Sequence, residues 1–263
     1  MQARPAYGMA CNAQSDQFLP DAVTSDHLLG GRVAYMQPRD GFRSAIDPVL
    51  LAAAIPARAG ERILEGGTGA GAALLCVAAR VPDISGIGID RDPKLLRLAQ
   101  ANAAANARSG LLFTAGDLAA SPIGGEFDHA FANPPYHAAD GTPSPSNARD
   151  AAKRSAPGQL SEWVAALSRP LRHRGTLTMI VTPRLLEQAL KAMRDSKAPA
   201  ECIFPIWPRS GQPARLVIVQ GRKNGRAALV LASGLVLHTE SGAFRPEADL
   251  VLRADGALRL TGG

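Results

Sequence analysis

Cysteine is scarce: Cys11, Cys76 and Cys202 are the 3 in 263 residues. They are odd in number and far apart, which leaves no disulfide framework and no zinc spacing and favours a reducing compartment. The histidines His27, His129, His137, His173 and His238 form no pair at metal-ligand spacing, so no metal is expected. No uninterrupted apolar run reaches the length of a membrane span. The mixed, polar stretch from Met1 to Asp26 has no signal-peptide apolar core. Internal repeats are lacking. These absences point to a soluble cytoplasmic protein with no membrane partner.

What is present is an ordinary globular composition. A hydrophobic fraction of 46% leaves ample core. The length allows one large domain, or one with appendages. The charge is +6 and the pI about 9.6, which fits a polyanionic partner. Its placing says more. Basic residues gather at Arg149, Lys153, Arg154, Arg169, Arg172 and Arg174, and again at Arg209, Arg215, Arg222, Lys223 and Arg226. The plain alternative is a pair of solvated faces.

The order of motifs is that of an α/β fold. Residues 1–27 carry no periodicity and are expected to be poorly ordered. Residues 28–263 are expected to form a single domain, with a core over about 45–222 and a β-rich tail over 223–263. A short hairpin is expected over Leu28–Met36, and Asp47-Pro48 reads as a helix N-cap followed by proline at the first helical position. The strand Arg62-Ile63-Leu64-Glu65 leads into Gly66-Gly67-Thr68-Gly69-Ala70-Gly71 and then a helix. That is the first β-α turn of a doubly wound, Rossmann-like sheet. A second strand ends in Asp90, where a ribose-binding acid belongs. A third is followed by Asp117 and Leu118. A fourth, Phe127–Ala132, ends in Asn133. Ligands in such sheets bind beyond the carboxyl ends of the strands, so Glu65, Asp90, Asp117 and Asn133 are expected along one rim. Two more strands are expected around the loop at Trp207–Gly211, with further strands over Ala227–His238 and Leu250–Leu260.

Asn133-Pro134-Pro135-Tyr136 stands at the end of the fourth strand. Its prolines fix φ and have no N–H, so the loop is stiff. It offers two acceptors, the Asn133 amide oxygen and the Pro134 carbonyl, beside the ring of Tyr136. A flat, amine-bearing group such as a nucleobase suits that trio. A long loop at 137–157, rich in proline, serine and basic residues, follows directly.

This ordered set resembles the class I S-adenosylmethionine-dependent methyltransferases, with a seven-stranded, mostly parallel sheet. The Asn-Pro-Pro-Tyr version resembles the branch that methylates exocyclic or amide nitrogens. The stretch from Gln37 through Arg43 and Asp47 to Ala54, and the tail segment Arg215–Lys223, resemble the bacterial tRNA1(Val) (adenine-37-N6)-methyltransferase family. The resemblance covers about residues 28–255. It implies S-adenosyl-L-methionine as cofactor and RNA, in particular a tRNA anticodon loop, as partner. It also implies roles. Glu65 would face the methionine end, Gly67 and Gly69 would pass beneath the cofactor, and Asp90 would hold the ribose. Asp117 and Leu118 would lie at the adenine, and Arg43 near the cofactor. Asn133, Pro134 and Tyr136 would grip the base. Gly66 departs from the family, which often has another small or polar residue there. Ribosomal-RNA guanine, DNA adenine, protein glutamine and small-molecule enzymes share these motifs and stay open as alternatives. So do a binding protein without activity and, more distantly, a NAD-dependent dehydrogenase.

Overall fold

Two-residue periodicity in the strands decides where the core lies. The computed structural model of the chain describes residues 23–39, 46–120, 123–135, 137–138, 154–155, 158–254 and 256–260. In chain order, β1 (Val23–Leu28) and β2 (Val33–Pro38) form a hairpin, followed by α1 (Asp47–Ala54), β3 (Arg62–Gly66), α2 (Ala72–Arg80), β4 (Ser85–Asp90), α3 (Pro93–Ala105), β5 (Leu111–Ala115) and β6 (Phe127–Ala132). Next come the short pair β7 (His137–Ala138) and β8 (Arg154–Ser155), then α4 (Gln159–Ser168) and β9 (Leu171–Val181). A 3-10 turn (Pro183–Leu185) leads into α5 (Leu186–Asp195), and β10 (Ala200–Trp207), β11 (Leu216–Arg222), β12 (Val230–Leu231), β13 (Leu235–Val236) and α6 (Pro246–Arg253) complete the series.

The large sheet has the order β12-β10-β11-β9-β6-β3-β4-β5, with β13 also on β10. The pairs β3–β4, β4–β5, β3–β6 and β6–β9 are parallel. The pairs β9–β11 and β11–β10 are antiparallel. This is the expected doubly wound sheet, extended at one edge by β12 and β13. The chain steps from β3 outward to β5, then returns to the other side of β3 as β6. That reversal opens a crevice at the carboxyl ends of β3, β4 and β6.

Neighbouring residues of each inner strand face opposite layers. Ile63, Phe131, Ile180 and Ile218 pack with α1, α2, α3 and α6. Leu64, Ala130, Met179 and Val219 pack with α4 and α5. Each such fully buried aliphatic or aromatic side chain contributes about 1.5–3 kcal/mol of burial.

Three expectations are corrected. The hairpin starts at Val23, inside the stretch expected to be poorly ordered, and its partner strand runs to Pro38. The tail is less β-rich than expected: β12 and β13 hold two residues each, and Leu250 lies inside α6. Pro246 at the start of α6, acids Glu247 and Asp249 in its first turn and Arg253 in its last favour a helix there. Asp47 is the first residue of α1 rather than its cap; Ile46 precedes the helix without a side-chain cap.

Two asparagines fix the hairpin over the crevice. Asn102 accepts from Met36 N (2.8 Å) and donates to Met36 O (2.9 Å). Asn106, one turn later, does the same with Ala34 at 3.0 and 2.7 Å. The two side-chain amides thus pair with β2 as a neighbouring strand would. Asn102 also donates to Ala70 O (3.0 Å) in the glycine-rich turn, so one side chain ties hairpin, helix and turn together.

Candidate active site

Register builds the site. In the β3–β6 pairing Ala132 stands opposite Gly66, so Asn133 leaves the sheet beside Gly67. The turn after β3 is tied to β4, where Ile89 O accepts from Gly67 N (2.8 Å) and Thr68 N (3.0 Å). One hollow is lined by Glu65, Gly67, Gly69 and Asn133, together with Tyr35 and Gln37 of β2. It encloses about 50 Å³ within about 480 Å³ of free space counting its open mouth. A nucleoside-sized ligand seated there lies largely in the mouth.

Glu65 is 3% exposed. Its carboxyl accepts from the Thr68 hydroxyl at 2.6 Å. Burial pushes its pKa up to about 8, against the opposing hydrogen bonds from Thr68 and the Leu74 backbone, and nearby Asp90 adds to the rise. Asp90 is anchored through both oxygens: Oδ2 accepts from Gly69 N (2.8 Å) and Oδ1 from Asp92 N (2.9 Å). Each carboxylate oxygen keeps lone pairs for a ligand hydroxyl.

The glycines do different jobs. Gly69 has φ +55°, and a Cβ there would meet nothing within 4 Å, so it leaves its side of the turn open. At Gly67, φ +66°, a Cβ would fall 2.6 Å from the Trp163 ring. Its bare backbone therefore accommodates an indole from α4 as well as lining the hollow. Gly66 has a packing reason too: a Cβ would lie 2.5 Å from Leu118 Cδ2.

The hollow unites Glu65, Gly67, Gly69 and Asn133, with Pro134 buried directly after Asn133. Asp90 stands one hydrogen bond away, through Gly69. Asp117 and Leu118 are not among its walls. Asp117 is exposed and accepts from Ala119 N (3.0 Å), while Leu118 is 4% exposed and packs into the core. Arg43, Tyr136 and most of the 137–157 loop lie outside the described residues. Sequence reasoning missed Tyr35 and Gln37. The signal was there, since Val33, Tyr35 and Gln37 alternate and all three are buried.

The methyltransferase small domain profile matches residues 45–180, just over half the chain. The chain belongs to that family. This methyltransferase small-domain protein is similar to the tRNA1(Val) (adenine(37)-N6)-methyltransferase of Actinobacillus succinogenes, 29% identical over 80% of this chain and 88% of the relative. It is 45% identical to the release factor glutamine methyltransferase of Rhodospirillum rubrum over 29% of this chain and 24% of that protein. Among solved structures, a predicted O-methyltransferase of Agrobacterium tumefaciens superposes with a TM-score of 0.66 and 25% identity, covering 80% of this chain and 97% of that one.

The methyltransferase small-domain protein is therefore an S-adenosylmethionine-dependent methyltransferase with a Rossmann-like fold. Its residues fit that cofactor. An open glycine turn suits a close backbone approach, an anchored carboxylate suits ribose hydroxyls, and a buried carboxyl suits a cationic end. Among the described residues no group of side chains could hold a metal ion, and no helix is long and apolar enough to cross a membrane.

Proposed function

We propose that this enzyme methylates the exocyclic N6 amine of an adenine in RNA, in particular in a tRNA anticodon loop. One observation carries the reading: Asn133 shares its hollow with Glu65 and the glycine turn. The Actinobacillus relative, which aligns over most of both chains, supports the substrate.

Bound S-adenosylmethionine supplies a methyl group on a sulfonium, an electrophilic carbon. The chain's own groups make the amine ready for it. An adenine N6 lone pair is delocalised into the ring and is a poor nucleophile. Asn133 Oδ1 and the Pro134 carbonyl accept the two N–H bonds and draw the nitrogen towards tetrahedral geometry, which localises the lone pair. With its two N–H groups held by these acceptors, the nitrogen would present its lone pair to the cofactor's methyl group and, once alkylated, would give up a proton to water. No strong base is needed, because the amine becomes more acidic as the new bond forms. Most of the acceleration is positioning. Tyr136 stacks on the base, worth roughly 1–3 kcal/mol. Glu65 would face the methionine end and Asp90 the ribose; Asp117, exposed after β5, would meet the adenine beyond the hollow's mouth, with Leu118 packed beneath it, and Arg43 would contribute from the segment before α1. A looped-out base reaches this site at little cost.

A second reading, methylation of a protein glutamine amide, has the release-factor match in its favour. That match spans under a third of the chain. The test is transfer of labelled methyl from S-adenosylmethionine to total RNA, DNA and protein, followed by nucleoside and amino-acid analysis. N6-methyladenosine in tRNA is expected. Label confined to protein would replace the RNA reading with the glutamine one.

A further inference from the structure

The two basic stretches do not end up at the catalytic rim alone. Arg209 and Arg215 flank the loop between β10 and β11, at the rim. Arg222, Lys223 and Arg226 follow β11 to the opposite end of the sheet, where they meet Arg174 and Lys197. From Arg174 to the end of β9 is about 20 Å at strand rise. There a shallow hollow of about 610 Å³ is lined by His173, Arg174, Lys197, Asn224 and Arg226 among others. One carboxylate, Glu201, faces this group, 3.1 Å from Arg222 Nε and 3.9 Å from Arg174 Nη1. Lys223 donates to Ser168 O at 2.9 Å. Burial first, and the Lys197 ammonium second, hold its pKa below the ordinary lysine range. Glu201 offsets one unit of this charge, shared between Arg222 and Arg174, and among the described residues Lys197, Lys223 and Arg226 have no ion pair.

Helix α5 connects the two ends. It starts at the rim, after β9, and runs down to Lys197. Four exposed cations lie along its length: Arg184 in the 3-10 turn that precedes it, Lys191 and Arg194 one turn apart on the helix itself, and Lys197 just past its end, where φ is +59°. Lys191 pairs with Asp195 at 2.5 Å, and Glu187 interrupts the row. Arg184, Arg194, Lys197 and Arg226 make no ion pair with the described residues. A row of separated cations leading from a catalytic rim to a basic hollow matches a phosphodiester chain. A membrane surface would call for apolar side chains beside the charges all along the row; the exposed Leu229, Val230 and Leu231 lie near the hollow, but none of the large exposed apolar side chains lies on α5.

We infer that α5 and the hollow beyond it form a phosphate track that holds the stem of the RNA whose loop enters the active site. This rests on the RNA reading of the site and adds where the rest of that RNA lies.

The test compares a fluorescent RNA stem-loop with the loop alone, for the unsubstituted protein and for an Arg194→Gln/Lys197→Gln/Arg226→Gln variant. Binding is followed from 50 to 200 mM salt, and methyl transfer is measured in parallel. Because Lys197 has φ +59°, a second variant, Arg194→Gln/Arg226→Gln, leaves that backbone untouched. The triple variant is expected to bind the stem-loop about tenfold more weakly and to lose about two units of log–log salt slope. Loop-only binding and kcat stay within twofold. Unchanged stem-loop affinity and slope, with transfer intact, would overturn the track and leave the RNA reading standing. Loss of stem-loop binding in the variants while the unsubstituted protein methylates no RNA would overturn the RNA reading and, with it, the track as the seat of a substrate stem. Tighter binding to phosphatidylglycerol vesicles than to the stem-loop would also overturn the track.

Discussion

The two ends of the central sheet treat their charged groups in opposite ways. At the carboxyl rim, Glu65 is buried with a hydroxyl and a backbone N–H for company, and its pKa rises to about 8. At the amino end, the acids are matched by cations. Arg172 reaches both Asp128 and Glu61. His129 bridges Glu61 Oε2 (2.8 Å) and Thr176 Oγ1 (2.7 Å). Burial lowers the His129 pKa, against the pull of Glu61 and Asp128. Around Glu61, Asp128 and His129 the amino end is a paired network that holds strands together. At the other end, no cation among the described residues pairs with the buried Glu65 carboxyl. The contrast separates stability from chemistry along the same strands.

The largest expected effect comes from the rim. Asn133→Ala should lower kcat by about 10²–10³-fold, by analogy with the loss of one preorganised polar contact at a reacting group. Calorimetry should show its cofactor affinity within a few-fold of the unsubstituted enzyme. A comparable loss of cofactor affinity would make Asn133 a binding residue only.

Asp90→Ala should weaken cofactor binding by roughly tenfold or more. It should also cost about 1–3 kcal/mol of stability, since it leaves the N–H groups of Gly69 and Asp92 without their acceptor. Denaturant melts with and without cofactor separate the two. At the amino end, Arg172→Ala should cost up to about 1 kcal/mol, since Asp128 keeps its bond from Arg62 N and Glu61 its bonds from Arg58 N and His129, with cofactor affinity unchanged. A change in cofactor affinity there would erase the distinction between the ends.

The effect spread most thinly over conditions is a slope. The folded pKa of Glu65 is raised, to about 8 from 4.5, so its contribution is complete below about 4.5. It is lost as pH rises towards 8. Across that window the cofactor-free enzyme should lose up to about 1.4 kcal/mol per pH unit from this group, and Glu65→Gln should flatten the decline. Parallel slopes for the two proteins would mean Glu65 is already ionised.

The central sheet was legible because its signals are local. β5 and β6 begin and end where alternation and the flanking Gly116 and Asn133 place them, and the acids at strand ends fall along one rim. The tail misled because Leu250-Val251-Leu252 reads equally well as strand or helix. What decides it is Pro246 and the burial of Ala248, Val251 and Leu252 on one side. The roles of Gly66 and Gly67 were hidden for another reason: their neighbours, Leu118 and Trp163, arrive from distant segments. Tyr35 and Gln37 reach the site only because Asn102 and Asn106 pair with β2 across more than sixty residues.

The most direct test is the position of the target base. In a crystal structure with S-adenosylhomocysteine and a stem-loop RNA, adenine N6 should lie about 2.7–3.2 Å from both Asn133 Oδ1 and the Pro134 carbonyl, with the ring beside Tyr136. A base bound elsewhere, or Asn133 turned into the core while RNA is still methylated, would contradict the account.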